Sequence, residues 1–193
     1  MSTSGAVGVF CNGKLFVSYV HWDSYPSSLG QKVVDFCKTT KEWEAVKQKV
    51  SNLIKVGQCD LADDNVVDEY VNKGYCNTNY SDGDKKEFYC LFHNIQGVRY
   101  LEEIVNGNIK HLIDSEKFLK DSLFCEFAYI INLDTMELDF YEGFNKSVDK
   151  NSNLPFEQVA NEDGYFPVKY VGSYKLDNIP ENWMKKLFPK ETD

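Results

Sequence analysis

Two short runs of strand-forming residues, Gly5 to Phe10 and Leu15 to His21, flank Cys11-Asn12-Gly13-Lys14. Asn-Gly is a strong hairpin signal because both central residues of the tight turn take positive φ, so the chain is expected to open with a β-hairpin. In the second run Leu15, Val17, Tyr19 and His21 alternate with Phe16, Ser18, Val20 and Trp22. That alternation puts His21 and Trp22 on opposite faces if the extended conformation persists. The turn formers from Asp23 to Gly30 then predict a loop. Beyond it the spacing becomes helical. Ser28-x-x-Gln31 has the form of a capping box ahead of Val33, Val34, Phe36 and Cys37. Thr39-x-x-Glu42 repeats the form ahead of Trp43, Val46, Val50, Leu53 and Ile54, with Gly57 as the expected stop. Asp63 or Asp64 is expected to cap a third, short helix carrying Val66, Val67, Tyr70 and Val71 and ended by Gly74.

After an exposed polar loop over 77–86, the apolar run Glu87 to His93 is read as a strand, and Leu101 to Val105 and Ser115 to Leu119 as short helical pieces. Phe124 to Asn132 and Glu137 to Tyr141 form a second expected hairpin, turning at Leu133 to Met136. A last strand is expected from Val168 to Tyr174, and a terminal helix opened by Asn178-Ile-Pro-Glu runs through Trp183 and Leu187 to Pro189. The stretch 145–166 follows no period and is long for a connection, which suits a long loop or lid. Hairpin-linked strands, with helices grouped after the first hairpin and at the C-terminus, predict a single α+β domain over 1–193 around a largely antiparallel sheet.

Composition narrows the function classes. Hydrophobic residues make up 42% and aromatics 15% of the 193 residues, enough for a true core and a large supply of flat side-chain surface. The net charge is -9, so general attraction to DNA or RNA is not expected. Residues 1–60 are nevertheless net +2 and the remainder net -11, which would favour an anionic small ligand on the first third. The six cysteines are scattered, without a C-x-x-C pair or a histidine at metal-ligand spacing, so no metal or cofactor is expected and the thiols read as free. No signal peptide or membrane span is evident, which leads to the expectation of a cytoplasmic protein with no membrane partner. Self-association remains open.

Chemistry is densest in Tyr19-Val20-His21-Trp22-Asp23-Ser24-Tyr25-Pro26. An imidazole, an indole, a carboxylate, a hydroxyl and a phenol meet there at a strand-to-helix transition. Such an elbow offers aromatic faces for stacking on a base, and a helix start near Ser28 to Gln31 whose free N–H groups would face a phosphate. The same residues also suit a structural corner, with Trp22 and Tyr25 as core anchors and Asp23 closing an Asx-turn. Lys14, Lys32, Lys38 and Arg99, the sole arginine, are candidate anion contacts or surface charges.

The pattern Tyr19-x-His21-Trp22-Asp23-x-Tyr25-Pro26-x-x-x-Gly30, set between a hairpin and a Glu/Lys-rich helical region, resembles small phage and bacterial proteins with a His-Trp-Asp-Gly-Tyr-Pro signature. The likeness spans roughly 5–57, with Ser24 where that signature has glycine. It implies a phage or prophage origin and an accessory role, and brings no established activity with it.

Three functions follow as expectations. The first is capture of a nucleotide-derived ligand, for instance a host antiviral-defence signal, by His21, Trp22, Asp23, Ser24, Tyr25 and Ser28. The second is hydrolysis of a nucleotide or amide, with Ser2 as an N-terminal nucleophile or with His21 and Asp23 as an acid/base pair assisted by Glu42 or another carboxylate. The third is masking of a host protein by the acidic C-terminal surface. No phosphate-loop, dinucleotide or esterase-elbow glycine signature is present.

Overall fold

The computed structural model describes residues 3–76 and 79–191. Strands β1 (Gly5–Cys11) and β2 (Lys14–Val20) form the opening hairpin, with Asn12 and Gly13 both at positive φ. A π-helical turn over Pro26–Gly30 runs straight into α1 (Gln31–Thr39), followed by α2 (Trp43–Ser51), β3 (Ile54–Val56), α3 (Asp64–Asn72), α4 (Phe88–Leu91), α5 (Val98–Val105) and β4 (His111–Ile113). After a 3-10 turn at Glu116–Lys120 come β5 (Phe127–Asn132), β6 (Glu137–Glu142), β7 (Lys169–Lys175) and α6 (Trp183–Leu187).

The main sheet has the order β2-β1-β5-β6-β7 and is α+β in class, largely antiparallel as the sequence predicts. Its centre departs from the hairpin pattern: β1 and β5 pair in parallel, Gly5 opposite Phe127 through Phe10 opposite Asn132. All of the helices α1 to α5 lie in the crossover between those strands, as a parallel pair requires. Gly8 makes the close approach possible, since a Cβ there would sit 2.7 Å from the Phe16 carbonyl and 2.9 Å from Ile130.

Alternation splits the sheet between two cores. Val7, Val9, Phe16, Tyr129, Ile131, Leu138 and Phe140 face the helices and join their apolar stripes. Ala6, Leu15, Val17, Ala128, Ile130 and Tyr141 face the other way and are covered by Leu119, Cys125, Leu154 and Val168, which no long helix carries. The 145–166 stretch is therefore packed on the sheet: Asn145 donates to the Pro167 carbonyl at 2.8 Å and Asn161 to the Asp121 carboxylate at 3.0 Å.

Several expectations need correction. Glu87 to His93 is not a strand; Phe88, Leu91 and Phe92 recur at helical spacing and bury one face of α4 and the turn after it. The helix expected to run to Gly57 stops at Ser51, and Ile54–Val56 instead pairs in parallel with His111–Ile113 in a small second sheet. Neither capping box forms. The Ser28 hydroxyl donates to the Asp23 carboxylate, Gln31 bonds Asp35 at 2.8 Å, and Thr39 donates back to the Asp35 carbonyl at 3.0 Å, closing α1 rather than opening α2. Asp63 does cap α3, accepting from the N–H groups of Asn65 and Val66. Part of the 77–86 loop and Ser2 lie outside the described residues.

Candidate functional site

The aromatic elbow is built by the end of β2. Tyr19 lies on the β2 face opposite the helices, its ring edge-on to Phe118 at 4.9 Å, and its hydroxyl is 2.7 Å from His21 Nδ1. The strand ends at Val20, so His21 and Trp22 do not diverge on opposite faces. They leave together, with ring centroids 4.1 Å apart at 75°. Asp23 makes the corner at φ 57°, a left-handed conformation uncommon for a residue with a Cβ. Its carboxylate, taken by the Ser28 hydroxyl, locks the bend. Trp22 is thereby left 63% exposed.

Past the corner the chain turns inward. Ser24 is fully buried, its N–H bonded to the Thr3 carbonyl and its own carbonyl accepting from the Tyr129 hydroxyl at 3.0 Å. Tyr25 is half-buried against Phe127, and Pro26 starts the π-helical turn. The expected free helix start is also absent: the N–H groups of Ser28, Gly30 and Gln31 already bond the Tyr25 and Pro26 carbonyls. The six predicted ligand contacts therefore divide. His21 and Trp22 border a hollow of about 470 Å³, while Asp23, Ser24, Tyr25 and Ser28 belong to the corner behind it.

The opposite wall comes from residues 89–99, among which Arg99 is the one candidate anion contact expected from the sequence. Tyr89 on α4 is exposed, and His93 follows it with Nδ1 3.1 Å from the Tyr80 hydroxyl. Gly97, at φ 60° and ψ -131°, makes a sharp entry into α5 that a residue with a Cβ would resist. That entry sets Gln96 and Arg99 beside the elbow. The Gln96 Oε1 accepts from the His21 N–H at 3.2 Å, and the Arg99 guanidinium donates to the Asn94 carbonyl at 3.2 Å. Arg99 thus turns out to be the charged group of this hollow, whereas Lys38 pairs with Glu181 elsewhere.

A second hollow of about 360 Å³ adjoins the first, the two having Tyr19, Tyr89, His93 and Gln96 in common. Phe92, Ile95 and Tyr100 form its buried floor, with Ile113 and Phe118 beside them and Ser18, Gln58, Asp114 and Ser115 supplying polar atoms. The floor is rigidly held: the Tyr100 hydroxyl donates to the His111 carbonyl at 2.6 Å, and His111 Nδ1 lies 2.8 Å from the Tyr70 hydroxyl. Burial holds the Tyr100 phenol well above its ordinary pKa and lowers that of His111, so both stay neutral at physiological pH.

Together the hollows make an aromatic groove with two imidazoles and one guanidinium. It is suited to stacking on a flat ring and to pairing with an anion. Of the acid/base pair expected from sequence, the Asp23 carboxylate accepts from the Ser28 hydroxyl and His21 Nδ1 lies against the Tyr19 hydroxyl. Glu42 sits at the start of α2 on a different depression. Among the described residues no cluster of three or more His, Cys, Asp or Glu side chains is placed to hold a metal ion, and no helix is long and apolar enough to cross a membrane. Comparison with known proteins finds no family model, curated protein or solved structure that matches this chain.

Proposed function

We propose that this protein binds a small nucleotide-derived ligand in the groove between the β2 elbow and the α4–α5 wall. The observation that carries the reading is the convergence on one hollow of Trp22, Tyr89, His21, His93 and the chain's sole arginine. Aromatic faces stack on a base with little sequence preference, and a guanidinium pairs with phosphate oxygens. The combined volume is in the range of small-ligand sites. The resemblance of the elbow to a phage-type signature suggests the biological use, which is sequestration of a host antiviral-defence signal.

Titration calorimetry against a panel of nucleoside phosphates and cyclic nucleotides tests this. Wild type is expected to release or absorb heat with at least one of them, and Trp22→Ala to weaken that binding about tenfold, the loss of one stacking contact. Absence of heat across the panel would overturn the proposal. Chromatography of the ligand after denaturation separates capture from turnover. Capture returns it unchanged, whereas a new product would establish a hydrolase.

A further inference from the structure

The groove is chemically polarised. Among the described residues the outer hollow carries Arg99 and His21 and no carboxylate, and His93 stands where it meets the inner hollow. The inner hollow carries one charged side chain, Asp114, whose carboxylate is 3.4 Å from Lys55 Nζ and accepts the Glu116 N–H. Lys55 is in turn bridged to Glu116 at 3.0 Å, so the inner end is an acidic cluster in which the one cation is already shared by two carboxylates. A phosphate placed there would meet net negative charge, and one placed against Arg99 would meet a guanidinium whose field also acts on Glu103, one turn further along α5. The apolar floor gives the opposite preference for an uncharged ring. Phe92, Ile95 and Tyr100 line the hollow as a buried apolar floor, and the Tyr100 hydroxyl is occupied by the His111 carbonyl.

Building on the reading above, we propose that the groove binds a nucleoside 5′-phosphate in one direction. The base enters the inner hollow against Phe92, Ile95 and Tyr100, and the phosphate stays in the outer hollow against Arg99 and the two histidines. Tyr19 and Tyr89, which border both hollows, flank the sugar between them. Recognition is thus of the base at its uncharged edge and of the phosphate as a terminal group.

Calorimetry with two sets of probes tests the direction: the four ribonucleosides, and their 5′-monophosphates. In wild type the phosphate of a bound nucleotide is expected to add about tenfold in affinity over its nucleoside, as a charge-assisted contact does, and that increment is expected to shrink as salt rises. Arg99→Gln is expected to abolish the increment while leaving nucleoside affinity within about twofold. Ser115→Leu narrows the inner hollow and is expected to weaken nucleoside and nucleotide by the same factor. Gln58→Phe, at an exposed position on the same rim, makes the same test should Ser115→Leu fail to fold. Equal binding of nucleoside and nucleotide by wild type, or equal weakening of both by Arg99→Gln, would overturn the direction while leaving a nucleotide site in place. Failure of every probe to bind would overturn the direction together with the reading it rests on.

Discussion

Asp139 shows how much one buried group costs this fold. It lies on β6, opposite Ile130 and 1% exposed, with Oδ2 at 3.4 Å from the Asn132 amide and the Asn153 side chain also beside it. Burial raises its carboxyl pKa to about 6 from an ordinary 3.8. Between those values the folded protein holds a proton that the unfolded chain has released, so stability falls as pH rises from 4 to 6 and stays reduced above it. Asp139→Asn is expected to gain roughly 1–3 kcal/mol at pH 7 and nothing near pH 3.5, measured by urea unfolding at the two pH values. Ser24 illustrates a subtler point of legibility. The resemblance places glycine there, yet the residue that has to be bare is Gly5 across the strand gap, where a Cβ would lie 2.6 Å from Ser24 Cβ and 2.4 Å from the Phe127 carbonyl. Positive φ falls on Asp23 instead. A sequence motif records the residue types at a corner, and not which neighbour must make room for them.

At the level of elements, both hairpins and five of the six helices, all but α4, are legible in the sequence because their signals are local: a turn chemistry, a cap, a period. The parallel β1–β5 pair and the two-stranded β3–β4 sheet are not, since each joins segments more than 50 residues apart and leaves no mark on either strand alone. Contacts between elements also decide stability. Asp134, in the second hairpin turn, accepts from the N–H groups of Asn12 and Gly13 in the first, both at 2.9 Å, and pairs with Lys47 on α2 at 3.0 Å. The Gly13 amide first, and then Asn12 and Lys47, hold its carboxyl below the ordinary range. The stabilisation is present above the unfolded pKa and lost as pH falls through the folded one. Asp134→Ala is accordingly expected to lower the urea midpoint at pH 7, by an amount that shrinks as pH falls below 3.8. Gly30 joins the π-helical turn to α1 beneath α6, and a Cβ there would lie 2.9 Å from Tyr129 and 3.0 Å from Trp183. Gly30→Ala is expected to cost about 1–3 kcal/mol by overpacking, read as a drop in melting temperature.

For the molecule as a whole, the candidate site is legible only on one side. The eight residues from Tyr19 to Pro26 attract notice because they are adjacent, and two of them, His21 and Trp22, reach the hollow. The other wall is assembled from Tyr89, His93, Gln96, Asp114, Ser115 and Phe118, residues that are unremarkable in their own neighbourhoods and are gathered by the crossover from β1 to β5, together with Arg99, which stands out in the sequence as the sole arginine without showing what it faces. The -11 charge of residues 61–193 likewise hides the one guanidinium, Arg99, that borders the groove, because a total charge averages over faces that a ligand meets singly. The most direct test maps amide chemical shifts on titration with the nucleoside 5′-phosphate that binds best. Changes confined to residues 18–22, 58, 89–100 and 113–118 are predicted, and changes concentrated elsewhere, or none at millimolar ligand, would contradict the assignment of this groove as the binding site.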